Sequence, residues 1–175
     1  MRQMSLIKHS NSFGGELLKG KRKTYRPLSS KRPLHLVLKS QEVLKMGSFM
    51  KHKKLTERLI NIYAKKFNIT IYDYAICSNH IHFTLRFFGQ REFQNFLRLL
   101  CGQIAQQIQG LGGMARASRS FWLHRPFTRV IHWGRDFKRT LNYMAVNWFE
   151  ADGRSLYRKQ KSKQAALLGF RMNSF

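Results

Sequence analysis

Acidic side chains are scarce in this sequence. Of its 175 residues only eight are aspartate or glutamate, whereas 33 are lysine or arginine. The eight are scattered, and no two of them have the spacing of an obvious metal clamp. Because nucleases and polymerases that use two metal ions hold them with several converging carboxylates, the sequence argues against that class of site. A metal site in this chain would have to use neutral ligands.

Cysteines and long apolar runs are also few. The two cysteines, Cys77 and Cys101, cannot build a disulfide framework and indicate a reducing compartment. With no secretory segment and no apolar run of membrane-spanning length in the sequence, we expect a cytoplasmic protein without a membrane partner. The net charge of +25 predicts a polyanionic partner, most simply nucleic acid, rather than a small-molecule substrate.

The apolar pattern predicts an α+β domain. Strands are predicted at 33–40, 69–77, 80–88 and about 127–132, and helices at 51–67, 90–110 and 135–151. This order is the split βαβ of a ferredoxin-like antiparallel sheet with helices on one face, followed by an added C-terminal helix. We expect a basic N-terminal arm at 1–31, one domain at 32–153 and a basic tail at 154–175.

The third predicted strand carries two histidines one residue apart. With a period of two, His80 and His82 point to one face, about 7 Å apart, while Ile81 and Phe83 point to the core. Side chains of that length can converge on one metal ion. A pair of core histidines is the alternative, but the alternation places these two off the core, on a face that we expect to be free of helices.

The last predicted helix has two kinds of residues on adjoining flanks. Its apolar stripe is expected to consist of Phe137, Leu141, Met144 and Trp148. A polar flank beside it consists of Asp136, Thr140, Tyr143, Asn147 and Glu150. If this helix docked on the histidine face, Tyr143 and Asn147 would lie beside an ion held by the histidines. An ordinary amphipathic helix with a tyrosine at its interface is the commoner alternative.

Several segments resemble one family of enzymes. "NHIHF" resembles the His-hydrophobic-His motif of the HUH single-strand DNA transposases, and "LNYMAVNWFEADG" is similar to their tyrosine helix. "FWLHRPFTRVI" and "LHLVLKSQ" resemble segments of the REP-associated tyrosine transposases, a bacterial branch of that superfamily. The resemblance covers about residues 33–153. One departure is that Trp148 follows Asn147, where the family usually has proline.

The resemblance implies a role for each matched residue. His80, His82 and Asn147 would be the ligands of Mg²⁺ or Mn²⁺, and Tyr143 would be the catalytic nucleophile. The implied enzyme is an endonuclease and strand transferase for DNA transposition and recombination. It would cleave and rejoin single-stranded or hairpin DNA through a 5′-phosphotyrosine, as a monomer or a domain-swapped homodimer in the bacterial cytoplasm, associated with the nucleoid. A catalytically silent relative that binds or regulates hairpin DNA is the alternative.

Three other patterns in the sequence bear on function. Cys77, Cys101, His124 and His132 have spacings that fit no zinc finger, so no zinc site is expected. An RNA-binding ferredoxin-like protein would expose aromatic residues on the third strand, which here exposes histidines. Large aromatic side chains dominate small cores but also stack on unpaired bases, and both roles are open for Phe121, Trp122 and Trp133.

Overall fold

The structure is a computed structural model that describes residues 11–21, 25–110 and 121–151, without the side chains of 150 and 151. Its strands are β1 (Ser12–Phe13), β2 (Leu34–Lys39), β3 (Thr70–Ile76), β4 (His80–Arg86) and β5 (Phe127–Val130). Its helices are α1 (Glu42–Lys45), α2 (Ser48–Lys51), α3 (Lys53–Lys66), α4 (Gln90–Gln109) and α5 (Arg135–Ala151), with a 3₁₀ turn at Gly15–Leu18. None of these described helices is long and apolar enough to cross a membrane.

The five strands form one antiparallel sheet in the order β1-β5-β2-β4-β3. Because β4 lies between β2 and β3, the arrangement is a split βαβ. The predicted α+β fold class and the predicted order of strands and helices are confirmed.

Strand β1 adds an edge strand that the sequence analysis missed, within the segment predicted as a basic arm. Gly14 follows it with φ +86°, and a Cβ at that position would collide with the Pro126 carbonyl. Arg26 holds the segment in place, since its guanidinium lies 4.3 Å from the centre of the Phe13 ring. The same guanidinium donates to the Pro126 carbonyl at 2.9 Å and to Thr128 Oγ1 at 2.8 Å.

The main core lies between one face of the sheet and helices α3 and α4. The alternation predicted for β4 is confirmed, since Ile81, Phe83 and Leu85 are fully buried in this core. The helices contribute Leu59, Ile60, Phe93, Phe96, Leu100 and Ile104. Burial of such side chains is the main source of stability for a domain of this size.

The opposite face of the sheet, expected to be free of the two helices of the split βαβ, is covered by α5, the added C-terminal helix. The helix packs on β3 and β4, with Met144 fully buried and the Phe137 ring centre 5.3 Å from that of Tyr72. Its buried stripe also differs from the predicted one, because Thr140 is buried whereas Trp148 is 41% exposed. Thr140 can be buried because its hydroxyl donates to the Asp136 carbonyl and accepts from Arg129.

Candidate metal and tyrosine site

A row of polar side chains crosses the sheet under α5. The register pairs Asp73 with Thr84, Thr84 with His35, and His35 with Arg129, so these four residues lie side by side on four strands. His82 lies two residues before Thr84 on β4, on the same face, and pairs with Ala75 and Val37. Neighbouring side chains on one face of a sheet are close enough to interact, so this row forms the floor of the candidate site.

Both histidines of the predicted pair have one ring nitrogen engaged by a neighbour. The Nδ1 of His80 lies 2.8 Å from Asn79 Oδ1, an acceptor, so this Nδ1 donates and its Nε2 keeps a lone pair. The Nδ1 of His82 lies 3.2 Å from His35 Nε2, with the two rings stacked at 5.4 Å. His82 itself is 5% exposed. Histidines that ligate metals donate their second N–H to such partners, and both Nε2 atoms are therefore the ones that could ligate.

The Nε2 of His82 is a buried polar atom without a hydrogen-bond partner among the described residues. An unpartnered buried nitrogen costs free energy unless something binds it. A divalent ion at this nitrogen would remove that cost. The two imidazoles therefore fit a divalent metal ion, the class of ion that the resemblance implies.

The electrostatic surroundings keep the imidazoles neutral. Burial, with the nearby His80 and His35, lowers the pKa of His82 to about 3. Burial and the Arg129 guanidinium lower the pKa of His35 to about 4. Burial and Lys39 lower the pKa of His80 as well. Because only a neutral imidazole can ligate a metal ion, the site needs no deprotonation of histidine at neutral pH.

Cys77 lies beside the two histidines, although its spacing from Cys101, His124 and His132 fits no zinc finger. The potential ligand atoms of Cys77, His80 and His82 all lie within 4.8 Å of one another. The β3–β4 turn brings them together, since the Cys77 N–H donates to the His80 carbonyl at 2.9 Å and so closes the hairpin. The reasoning from zinc-finger spacing overlooked this geometry. Cys101, His124 and His132 are not members of the cluster.

Tyr143 lies over the histidines, and the structure thus brings these three predicted site residues together. Its ring centre is 5.5 Å from that of His82, with the two planes perpendicular, and 6.1 Å from that of His35. The side chain is 49% exposed, so the hydroxyl group can be approached from solvent. A nucleophile that attacks a large polymer needs such access.

Asn147 lies one turn after Tyr143 and is 8% exposed. Its side-chain Nδ2 donates to the Tyr143 carbonyl at 2.8 Å, and its backbone carbonyl accepts from the Cys77 thiol at 3.9 Å. The residue therefore lies against the cysteine of the cluster, while its amide N–H bonds within α5. Its role as a metal ligand stays a prediction.

Arg129 fixes the start of α5, a function that the sequence analysis did not assign. Its guanidinium donates to Asp136 Oδ1 at 3.0 Å and to Thr140 Oγ1 at 3.0 Å. Burial would raise the pKa of Asp136, but the His132 backbone N–H and Arg129 outweigh it and lower that pKa. These bonds orient the first two turns of the helix and so place Tyr143 over the histidines. The sequence did not reveal this, because the contacts join a residue of β5 to side chains on the following helix.

The aromatic residues divide into buried and exposed ones. Phe121 is buried and Trp122 packs partly buried against the core, so the core alternative is confirmed for both. Trp133 is 49% exposed and forms a surface cluster with Tyr72 and Phe137, with ring centres 5.0–5.9 Å apart. It therefore remains a candidate for stacking on bases.

No protein-family model and no curated protein sequence matches this chain. Among solved structures, the chain is similar to a REP-associated tyrosine transposase bound to a REP hairpin, with a TM-score of 0.55. The similarity covers 81% of this chain and 79% of that chain at 11% sequence identity. The predicted resemblance to the REP-associated tyrosine transposases is therefore confirmed at the level of the fold.

Proposed function

We propose that this protein is a metal-dependent single-strand DNA transposase or endonuclease with Tyr143 as its nucleophile. The observation that carries the proposal is the contact between the Tyr143 ring and His82, whose Nε2 has the character of a metal ligand. His80 and His82 would hold Mg²⁺ or Mn²⁺, with Asn147 as the third ligand predicted from the resemblance. Bound there, the cation would withdraw charge from a phosphate oxygen and orient the phosphate for displacement.

The chemistry of the chain itself is a transesterification. The Tyr143 oxygen attacks phosphorus and forms a phosphotyrosine bond with the 5′ side of the DNA, while its proton leaves to solvent. The bond between phosphorus and the 3′ oxygen breaks, and that oxygen takes up a proton. Because the number of phosphoester bonds is unchanged, a free 3′-hydroxyl can reverse the step and join strands without ATP.

The substrate class follows from charge and access. A net charge of +25 favours binding to a polyanion, and the half-exposed Tyr143 can be reached by a flexible single strand. The solved structure with a similar fold is bound to a REP hairpin, which supports hairpin DNA as the substrate. We infer a monomer, because the histidines and the tyrosine lie together within one chain, in a cytoplasmic protein associated with the bacterial nucleoid.

The test is formation of a covalent adduct. The protein is incubated with labelled single-stranded hairpin oligonucleotides and Mn²⁺, and products are separated on a denaturing gel. We expect a tyrosine-linked band that is lost in Tyr143→Phe and in EDTA. Tyr72→Phe, at another tyrosine that contacts α5, is the matched control and keeps the band. Adducts that persist in Tyr143→Phe would show that the nucleophile is wrong.

A silent hairpin-binding protein is the second candidate. It is favoured by the net charge of +25 and by the similar fold bound to a REP hairpin, which support hairpin binding without requiring cleavage. The same experiment separates the two, since a silent relative would shift the hairpin on a native gel without giving any adduct on a denaturing gel.

A further inference from the structure

We propose that Cys77, together with His80 and His82, forms a thiolate-containing metal site that selects Zn²⁺ or Co²⁺ over Mg²⁺. The inference rests on the proposed metal site of the two histidines but replaces its third ligand, Asn147, with Cys77. It also changes the chemical class of the ion.

The distances permit one ion to be shared. Zinc binds sulfur at about 2.3 Å and nitrogen at about 2.0–2.1 Å, so ligand atoms around a tetrahedral ion are about 3.3–3.6 Å apart. The ligand atoms of the cluster lie within 4.8 Å of one another without an ion. Binding one ion would need these atoms to approach one another by up to about 1.5 Å through side-chain rotation.

The backbone of the cluster is held on three sides. The Cys77 N–H donates to the His80 carbonyl, and both carbonyls of the intervening turn accept bonds from outside the hairpin. The Ser78 carbonyl accepts from the Phe49 N–H and the Asn79 carbonyl from the Ser40 N–H, each at 2.9 Å. The spacing Cys-x-x-His-x-His is therefore presented by a fixed turn.

The outer partners of the imidazoles are already in position. Asn79 Oδ1 engages His80 Nδ1, and His35 Nε2 engages His82 Nδ1, so each ring presents its Nε2. Metal sites use such partners to orient their histidines.

The third ligand is decided by chemistry and by position. Cys77 is buried, and its sulfur lies within 4.8 Å of a ring nitrogen of each histidine. Thiolate with imidazole selects zinc-like ions, whereas magnesium prefers oxygen ligands and water. On binding, the thiol proton is released to solvent. Three protein ligands leave a fourth position, as in catalytic zinc sites.

The probe for this site is Co²⁺, added to the reduced, untagged, metal-free protein. We expect one equivalent to give an intense near-ultraviolet band from thiolate-to-cobalt charge transfer, which equimolar Zn²⁺ displaces and a roughly hundredfold excess of Mg²⁺ does not. Cys77→Ser should remove the band and weaken Zn²⁺ binding at least about 100-fold, since even outer partners cost 10–100-fold. Cys101→Ser is the matched control and should keep both the charge-transfer band and the Zn²⁺ affinity.

Asn147→Ala distinguishes the two candidate third ligands. If Cys77 is the ligand, this variant keeps the charge-transfer band and its Zn²⁺ affinity. Absence of the band in the wild type, or its survival in Cys77→Ser at an unchanged melting temperature, would overturn the inference. Because the spectrum needs neither DNA nor Tyr143, its failure is separate from failure of the adduct assay. Adducts without the band reject only the thiolate site, and the band without adducts rejects only the proposed nuclease.

Discussion

Replacement of Asp73 by asparagine should stabilise the protein in a pH-dependent way. Asp73 lies partly buried in the polar row under α5, next to Thr84. Burial raises the pKa of its carboxyl from 3.8 to about 6, although the Tyr74 backbone N–H donates to Oδ1 at 2.8 Å and acts against this rise. The folded state therefore holds this proton over a range of pH in which the unfolded chain has lost it.

The sign and size of the stability change follow from the difference between the pKa values of Asp73 in the folded and unfolded states. Protonation of Asp73 favours the folded state, so its contribution is full below about pH 4 and is lost as the pH rises to about 6. The rise of the Asp73 pKa from 3.8 to about 6 corresponds to a loss of about 3 kcal/mol in the free energy of unfolding once the carboxyl is ionised. Asparagine keeps an oxygen that can accept from Tyr74 but carries no proton to lose. We expect Asp73→Asn to be more stable than the wild type by up to about 3 kcal/mol at about pH 8 and nearly equal to it at about pH 4.

Urea unfolding of both proteins without metal, across this range of pH, measures the effect. The wild-type profile alone is ambiguous, because His35 and His82 have lowered pKa values and act in the opposite direction, losing stability as the pH falls. The difference between the variant and the wild type cancels those histidines. A difference that stays constant from about pH 4 to about pH 8 would refute the reasoning.

Two further predictions concern metal and DNA. His35→Leu removes the acceptor at His82 Nδ1 and should lower Co²⁺ affinity about 10–100-fold by spectroscopic titration, whereas His35→Gln, which keeps an acceptor, restores most of it. An equal loss in both variants would contradict a role for the hydrogen bond. Trp133→Ala should weaken binding of an unpaired hairpin tail by about 1–3 kcal/mol in fluorescence anisotropy without weakening binding of duplex DNA. Equal loss on both DNAs would rule out stacking by this residue.

Much of the sheet and its core could be predicted from the sequence. When apolar and polar residues alternate along a strand, the apolar ones mark the face that packs on the core. Ile81, Phe83 and Leu85 lie in the core as the alternation indicates. Strand β1 could not be predicted, because two residues carry no period, and its pairing depends on the left-handed Gly14 and on Arg26.

The candidate site was predictable only in part. His80 and His82 lie on one strand and Tyr143 lies on one helix, so short sequence patterns could reveal them. The structure brings these residues together. Cys77 was missed because spacing was compared with zinc fingers, whereas a tight hairpin lets a cysteine three residues before a histidine join it. His35 was missed because its contact with His82 joins residues from different strands, and only the register of β2 and β4 reveals it.

The helix that covers the histidine face accounts for the lowered pKa values of the imidazoles. On an open face the imidazoles would keep pKa values near 6.5, and protons would compete with a metal ion close to neutral pH. Under α5 they are desolvated, and the pKa of His82 falls to about 3, so its ligand nitrogen stays available well below neutral pH. The same burial raises the pKa of Asp73 and costs stability there. Helix α5 therefore places Tyr143 over the histidines and keeps them neutral. The same burial destabilises the folded protein when Asp73 is ionised.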